Sequence, residues 1–274
     1  MHVIYNGELM PEDELRLPLT NRAFQYNDGF FETAVIENGR IRFWQDHVRR
    51  MQQAAAALKL LLPQEVEVFS ELKNSLLRLA AQNGAIPSGR LKLKVWRSGG
   101  GLYTPDTHRA SWLATVHPFT PTALQQYHVG VCQTVYTNYS PFSHFKGPNS
   151  LIYVMAGIER QQRGFDDMLI LNRQHVVSEL VSSNLFWLRD EVLYTPALDT
   201  GCVNGIARRN ILRWCASEGI RVREVYFEVD RLSASDAVFA ANVTGIRSIK
   251  SIEGRSFAEA PLLLTRLQEE VFRA

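Results

Sequence analysis

The chain has 274 residues, 46% of them hydrophobic, enough to bury one large core or two smaller ones. Its 30 basic and 28 acidic residues leave a formal charge of +2 and are interspersed, which excludes the electrostatic footprint of a nucleic-acid or anionic-membrane binder and leaves a small molecule as the default partner. Three cysteines (Cys132, Cys202, Cys215) without Cys-x-x-Cys spacing, and seven histidines without an i, i+4 pair, predict buried thiols and neither a disulfide framework nor a metal site.

The elements follow in chain order. Val3-Ile4-Tyr5 runs into Asn6-Gly7, and Thr33-Ala34-Val35-Ile36 into Asn38-Gly39 before Ile41-Arg42-Phe43-Trp44, so the opening reads as antiparallel hairpins. Val48, Met51, Ala55, Leu58 and Leu62 recur at helical spacing after Asp46, which is placed to cap the first turn. A second helix is predicted from Gln64 to Asn83, ending at Gly84. Leu91 to Trp96 and Trp112 to Val116 read as arms of a hairpin around Ser98-Gly99-Gly100-Gly101. Beyond these come a strand at Val129-Gly130-Val131, a helix from Ser150 to Arg163, and strands at Met168 to Leu171, Val176-Val177 and Leu185 to Leu188. Two more helices are predicted, Arg208 to Glu218 and Ser233 to Ala237, each followed by strand. The class is α+β, or mixed α/β, in two sub-domains over 1–118 and 127–274, joined by a linker over 119–126, with the later one carrying Lys146.

The longest apolar run, Ala54 to Leu62, is interrupted by Lys59 and is shorter than the roughly 20 residues of a membrane span. The opening Met1 to Gly7 lacks a basic segment followed by an apolar stretch, so the expectation is a cytoplasmic protein that is not exported.

Lys146 sits among turn formers, Ser143-His144-Phe145-Lys146-Gly147-Pro148-Asn149-Ser150, at the entry to a helix, where a lone lysine is ordinarily a surface charge. Its company changes that reading. Downstream come Ser178-Glu179-Leu180, Asn184-Leu185-Phe186-Trp187, Tyr194-Thr195-Pro196 and Gly201-Cys202-Val203-Asn204-Gly205-Ile206-Ala207-Arg208. Upstream stand Asp28-Gly29-Phe30-Phe31-Glu32-Thr33 and His47-Val48-Arg49-Arg50-Met51, and near the end Ala241-Asn242-Val243-Thr244-Gly245-Ile246. In this order the segments resemble, over nearly the whole chain, the class IV or fold-type IV pyridoxal-phosphate enzymes, a family of branched-chain and D-amino-acid aminotransferases and aminodeoxychorismate lyase.

The resemblance implies a two-domain fold like that of D-amino-acid aminotransferase, pyridoxal 5'-phosphate as cofactor and a small amino substrate. It further implies a homodimer whose site is completed by loops of the neighbouring subunit. Lys146 would carry the cofactor as a Schiff base and then move a proton as general acid and base. Glu179 would hold the proton on the ring nitrogen, without which the ring is a poor electron sink. Arg50 and the backbone amides of Gly205, Ile206 and Ala207 would hold the phosphate, a dianion suited to a helix N-terminus. The chain departs from the family pattern at Ala207 and Asn242, where threonines are common; the resemblance implies a phosphate contact through the backbone at Ala207 and places Asn242 among the cofactor-binding residues. For Arg50 the competing reading is a salt bridge on an exposed helix face, a role that suits Arg49 better.

Two reactions remain open. Asn184 to Trp187, Val203 to Ile206 and Arg97-Ser98-Gly99-Gly100-Gly101 look more like the lyase, which removes pyruvate from 4-amino-4-deoxychorismate and leaves 4-aminobenzoate, a folate precursor. Leu151 stands five residues after Lys146, where branched-chain aminotransferases usually carry tyrosine, and Tyr153 is a substitute in a shifted geometry. Arg97 is a candidate for a substrate carboxylate, with a structural ion pair as its equal alternative. The Ser98 to Gly101 stretch lacks the lysine and strand-to-helix context of a P-loop, and no Gly-x-Ser-x-Gly elbow supports a serine hydrolase. A non-catalytic protein that binds pyridoxal phosphate is a third reading, disfavoured because binding alone does not need the lysine.

Overall fold

Asn6 (φ 47°) and Gly7 (φ 90°) take the left-handed backbone of a tight hairpin and turn β1 (His2–Tyr5) onto β2 (Glu8–Pro11) in a computed structural model that describes residues 1–120 and 127–272. Asn38 and Gly39 do the same between β3 (Gly29–Glu37) and β4 (Arg40–Ile41). With β5 (Gly89–Arg97) and β6 (Ala110–Pro118) they form a six-stranded antiparallel sheet in the order β2-β1-β6-β5-β3-β4.

Before β3 lies a short helix, α1 (Arg22–Tyr26), whose five residues carry no apolar stripe; Asn21 caps it by accepting from Ala23 N at 2.9 Å. The strand predicted at Ile41 to Trp44 stops at Ile41, because Phe43 turns left-handed (φ 56°) and Trp44 opens α2 (Trp44–Leu58), on the same buried face as Val48, Met51 and Ala55. Asp46 sits in the first turn of α2, but the N-cap position is Phe43. The single helix predicted over Gln64 to Asn83 is two, α3 (Gln64–Glu67) and α4 (Phe69–Gln82). Val68 breaks it: at φ −80° and ψ 77° its backbone lies outside the helical region. Gly84 (φ 66°) ends the second helix as the sequence predicts.

The chain divides into two units, Met1–Pro121 with Phe145–Pro148, and Thr122–His144 with Asn149–Ala274. The linker predicted over 119–126 lies, from 121 onward, outside the described residues. In the first unit, Met51, Ala54, Leu72, Leu76 and Leu79 from the helices pack on Ile36, Leu91, Leu93, Val95 and Val116 of the sheet.

The second unit holds β7 (Tyr127–Val131), α5 (Ser150–Arg163), β8 (Asp167–Leu171), β9 (Val177–Leu180), β10 (Asn184–Arg189), β11 (Val192–Pro196), α6 (Ile206–Ser217), β12 (Val222–Val225), β13 (Ala237–Asn242), β14 (Gly245–Ile252), β15 (Arg255–Ser256) and α7 (Pro261–Glu270). Its sheet runs β12-β11-β10-β13-β14-β7-β8-β9, and β9 pairs again with β10, so six of the strands close a ring. The pairs β7–β8, β7–β14 and β11–β12 are parallel. The helix predicted at Ser233 to Ala237 is instead a 3-10 turn over Val229–Ala234, and Ala237 begins β13, whose first five residues are all buried, as a strand inside a closed sheet requires. Among the described residues no helix is long and apolar enough to cross a membrane. The three cysteines are buried thiols.

Candidate active site

Lys146 lies in Phe145–Pro148, a stretch that groups with the first unit although the chain on either side belongs to the second. The cause is the Asp28-Gly29-Phe30-Phe31 segment. Phe31 N donates to Lys146 O at 2.9 Å, Asn27 Nδ2 donates to Gly147 O at 2.7 Å, and the Phe145 ring meets Phe30 edge-on with centroids 6.3 Å apart. Gly147, at φ 150°, comes so close that a Cβ there would lie 2.5 Å from Gly29 O and 2.8 Å from Phe30 Cα. These bonds hold the lysine's backbone against the start of β3.

Arg50 is buried in the first unit and is held by a carboxylate: Nε and Nη2 donate to Glu32 Oε1 and Oε2 at 2.8 and 2.7 Å. His47, one turn earlier on α2, contacts the same Oε2 through Nδ1 at 2.6 Å. Burial alone would raise the Glu32 carboxyl, but the Arg50 charge and the bonds from His47 and Arg50 outweigh it and bring it down to about 2. Arg49, next to Arg50 on the helix, is exposed. Glu32 and His47 stand inside motifs legible in the sequence, yet their joint role was not; the available signal is a carboxylate on a strand facing a His-x-x-Arg pair on one helix face.

Arg97 is likewise buried in the first unit. It donates to Asp28 Oδ2 (3.0 Å), Leu58 O (2.6 Å) and Lys59 O (3.3 Å), and Nη1 contacts His108 Nδ1 at 3.1 Å. Asp28 also accepts from Arg22 Nε at 2.8 Å, and Arg22 Nη1 grips the carbonyls of Gly100, Gly101 and Leu102. Arg97 thus has the ion-pair arrangement that stood as the alternative to a substrate contact, and the glycine-rich turn after it is tied down by Arg22.

The second unit assembles the remaining residues. Glu179, buried on β9, pairs in register with Asn184 on β10, which pairs with Ala241 on β13. Glu179 Oε1 accepts from the Tyr153 hydroxyl at 2.7 Å and from Val203 N at 3.1 Å. Asn184 Nδ2 donates to Val203 O at 2.8 Å, and Asn184 Oδ1 lies against the Cα of Gly205, where no Cβ fits. The turn from Cys202 to Gly205 is therefore locked to both side chains. Gly205 is the N-cap of α6 and provides no side-chain cap bond, so the amides of Ile206 and Ala207, both buried, open the helix uncapped. Asn242 joins its own turn to the one between β9 and β10: Nδ2 donates to Ser182 O and Ser183 Oγ, both at 3.1 Å, and Oδ1 accepts from Thr244 N (2.8 Å) and Thr244 Oγ1 (2.6 Å). Asn184 is the residue whose part the sequence did not disclose.

This donor set fits a phosphorylated pyridine: a buried, oriented carboxylate in the same unit as a helix N-terminus without a side-chain cap, whose glycine lets Asn184 lock the turn that carries it. The chain belongs to the class IV aminotransferase family, whose profile (Amino-transferase class IV) matches residues 29–252. It is a pyridoxal 5'-phosphate enzyme of that class, a lyase or an aminotransferase with a mixed α+β fold. Among its relatives is the aminodeoxychorismate lyase of Vibrio harveyi, 29% identical over 247 residues that cover 87% of this chain and 88% of the relative. The D-alanine aminotransferase of Listeria monocytogenes is 28% identical over 268 residues, 94% of this chain and 90% of the relative. In fold, the chain is similar to the branched-chain aminotransferase of Thermoproteus uzoniensis with norvaline, with TM-score 0.88 at 24% identity, covering 100% of this chain and 94% of the other.

Proposed function

We propose that the enzyme is an aminodeoxychorismate lyase, converting 4-amino-4-deoxychorismate to 4-aminobenzoate and pyruvate, with Lys146 as the covalent anchor of the cofactor. Bound pyridoxal phosphate supplies an electron sink for the amino-bearing carbon of the substrate. The Lys146 amine takes the proton from that carbon, the ring carbon–oxygen bond to the enolpyruvyl group breaks, and the proton is returned to the departing enol, which becomes pyruvate. Atoms and charge balance with no added keto acid. Glu179 keeps the ring nitrogen protonated. The amides of Gly205, Ile206 and Ala207 hold the phosphate with help from Arg50, and Asn242 acts through the turn it builds. Arg97 is assigned to structure.

The observation that carries the lyase over a branched-chain transaminase is the helix after the lysine. Leu151, five residues on, is 71% exposed, and the phenol two residues further, Tyr153, is bonded to Glu179 instead of replacing the expected tyrosine. A second reading, amino transfer from a D-amino acid, is favoured by the longer match to the D-alanine aminotransferase. Purified protein incubated with aminodeoxychorismate and no keto acid should release pyruvate and 4-aminobenzoate in equal amounts. Absence of both, with amino transfer from D-alanine to a keto acid, would select the second reading.

A further inference from the structure

We infer that Tyr153 is a positioning residue for the cofactor: its hydroxyl, with Val203 N, fixes the Glu179 carboxylate in the orientation that meets the ring nitrogen. The inference rests on the assignment of Glu179 under the proposed function.

Both donors converge on one oxygen, Oε1, from two different elements. Tyr153 comes from α5 at 2.7 Å, and Val203 comes from the turn before α6 at 3.1 Å. Two donors from separate elements hold that oxygen more narrowly than either would alone. A bond to an ionised oxygen is also about twice as strong as a neutral one. Titratable groups that face this carboxylate include Tyr153 and Cys202. Burial, then the Glu179 charge and its hydrogen bond, push the phenol well above its usual range; burial and the same charge push the Cys202 thiol up to about 12. Both neighbours therefore stay protonated, and Tyr153 remains a donor across the working pH range.

Glu179 in turn shares its register with Asn184, which locks the Gly205 turn. Tyr153 thereby ties α5, the helix that follows Lys146, to the carboxylate, and the sequence pattern of the turn gives no hint of it.

The test compares two probes. One is pyridoxal phosphate; the other is its analogue with C–H in place of the ring nitrogen, which offers Glu179 nothing to bond. Tyr153→Phe should bind pyridoxal phosphate about ten-fold more weakly than the unsubstituted protein, the effect of one charge-assisted hydrogen bond, and should bind the analogue with unchanged affinity. An equal loss for both probes would make Tyr153 a general packing residue and overturn the inference, as would no loss for either. If the phenylalanine variant does not fold, Tyr153→Leu, which likewise has no donor, carries the same comparison with the same outcomes. Failure of the unsubstituted protein to bind pyridoxal phosphate overturns the cofactor reading and this inference together; normal binding without dependence on the ring nitrogen overturns this inference alone.

Discussion

Gly205 stands so close to Asn184 that a Cβ built on it would lie 2.1 Å from Asn184 Oδ1. The glycine is there for space and not for backbone freedom, since its φ of −61° is open to any residue. Asn184 cannot retreat without giving up its bond to Val203 O, and Val203 N is one of the two donors on Glu179. One methyl group at position 205 therefore disturbs the helix N-terminus and the carboxylate together.

For Gly205→Ala we expect a folded protein whose affinity for pyridoxal phosphate falls about ten-fold or more, because a methyl forced into a closed site costs about 1–3 kcal/mol. Equilibrium titration of apoenzyme followed by cofactor absorbance measures it. Unchanged affinity would place the phosphate elsewhere.

Glu32 carries a pH signature. Its carboxyl is held near 2 in the folded protein against an ordinary 4.5, so the Glu32–Arg50–His47 cluster contributes stability that is fully present above pH 4.5 and is lost as pH falls through 2. The shift corresponds to about 3 kcal/mol. Urea unfolding at pH 7, 5 and 3 should show that decline, and Glu32→Gln should lose about 3–5 kcal/mol at pH 7 by taking the carboxylate away from Arg50 and His47, while its stability is flatter between pH 5 and 3. Parallel pH profiles for the two proteins would remove the cluster from the explanation.

Arg97→Ala separates structure from substrate binding. With its guanidinium on Asp28, His108 and two carbonyls, the substitution should lower unfolding free energy by about 1–3 kcal/mol and change KM for the amino substrate less than it changes stability. A large rise in KM with stability intact would return Arg97 to the substrate.

Much of this was readable before any coordinates, for reasons that differ by residue. Asn6-Gly7 and Asn38-Gly39 announce hairpins because the turn chemistry is local, and the 150–163 helix is legible from its own pattern. Lys146 and Glu179 stand out by the order of short motifs around them. What the sequence hid is contact between distant segments. Gly147 against Gly29 moves the lysine into the first unit, and the Glu32–Arg50 pair joins a strand to a helix 18 residues on. The strand mispredicted at Arg42 to Trp44 fails for a related reason: Trp44 serves the buried face of α2, which local β propensity does not register.

The claim on which the rest depends is that Lys146 carries the cofactor. Borohydride reduction of the holoenzyme, followed by peptide mapping, reads it directly. The expected result is a single phosphopyridoxyl label on the peptide containing Lys146, absent from Lys146→Ala; a label on another lysine, such as Lys59 or Lys94, with Lys146 unmodified, would contradict it.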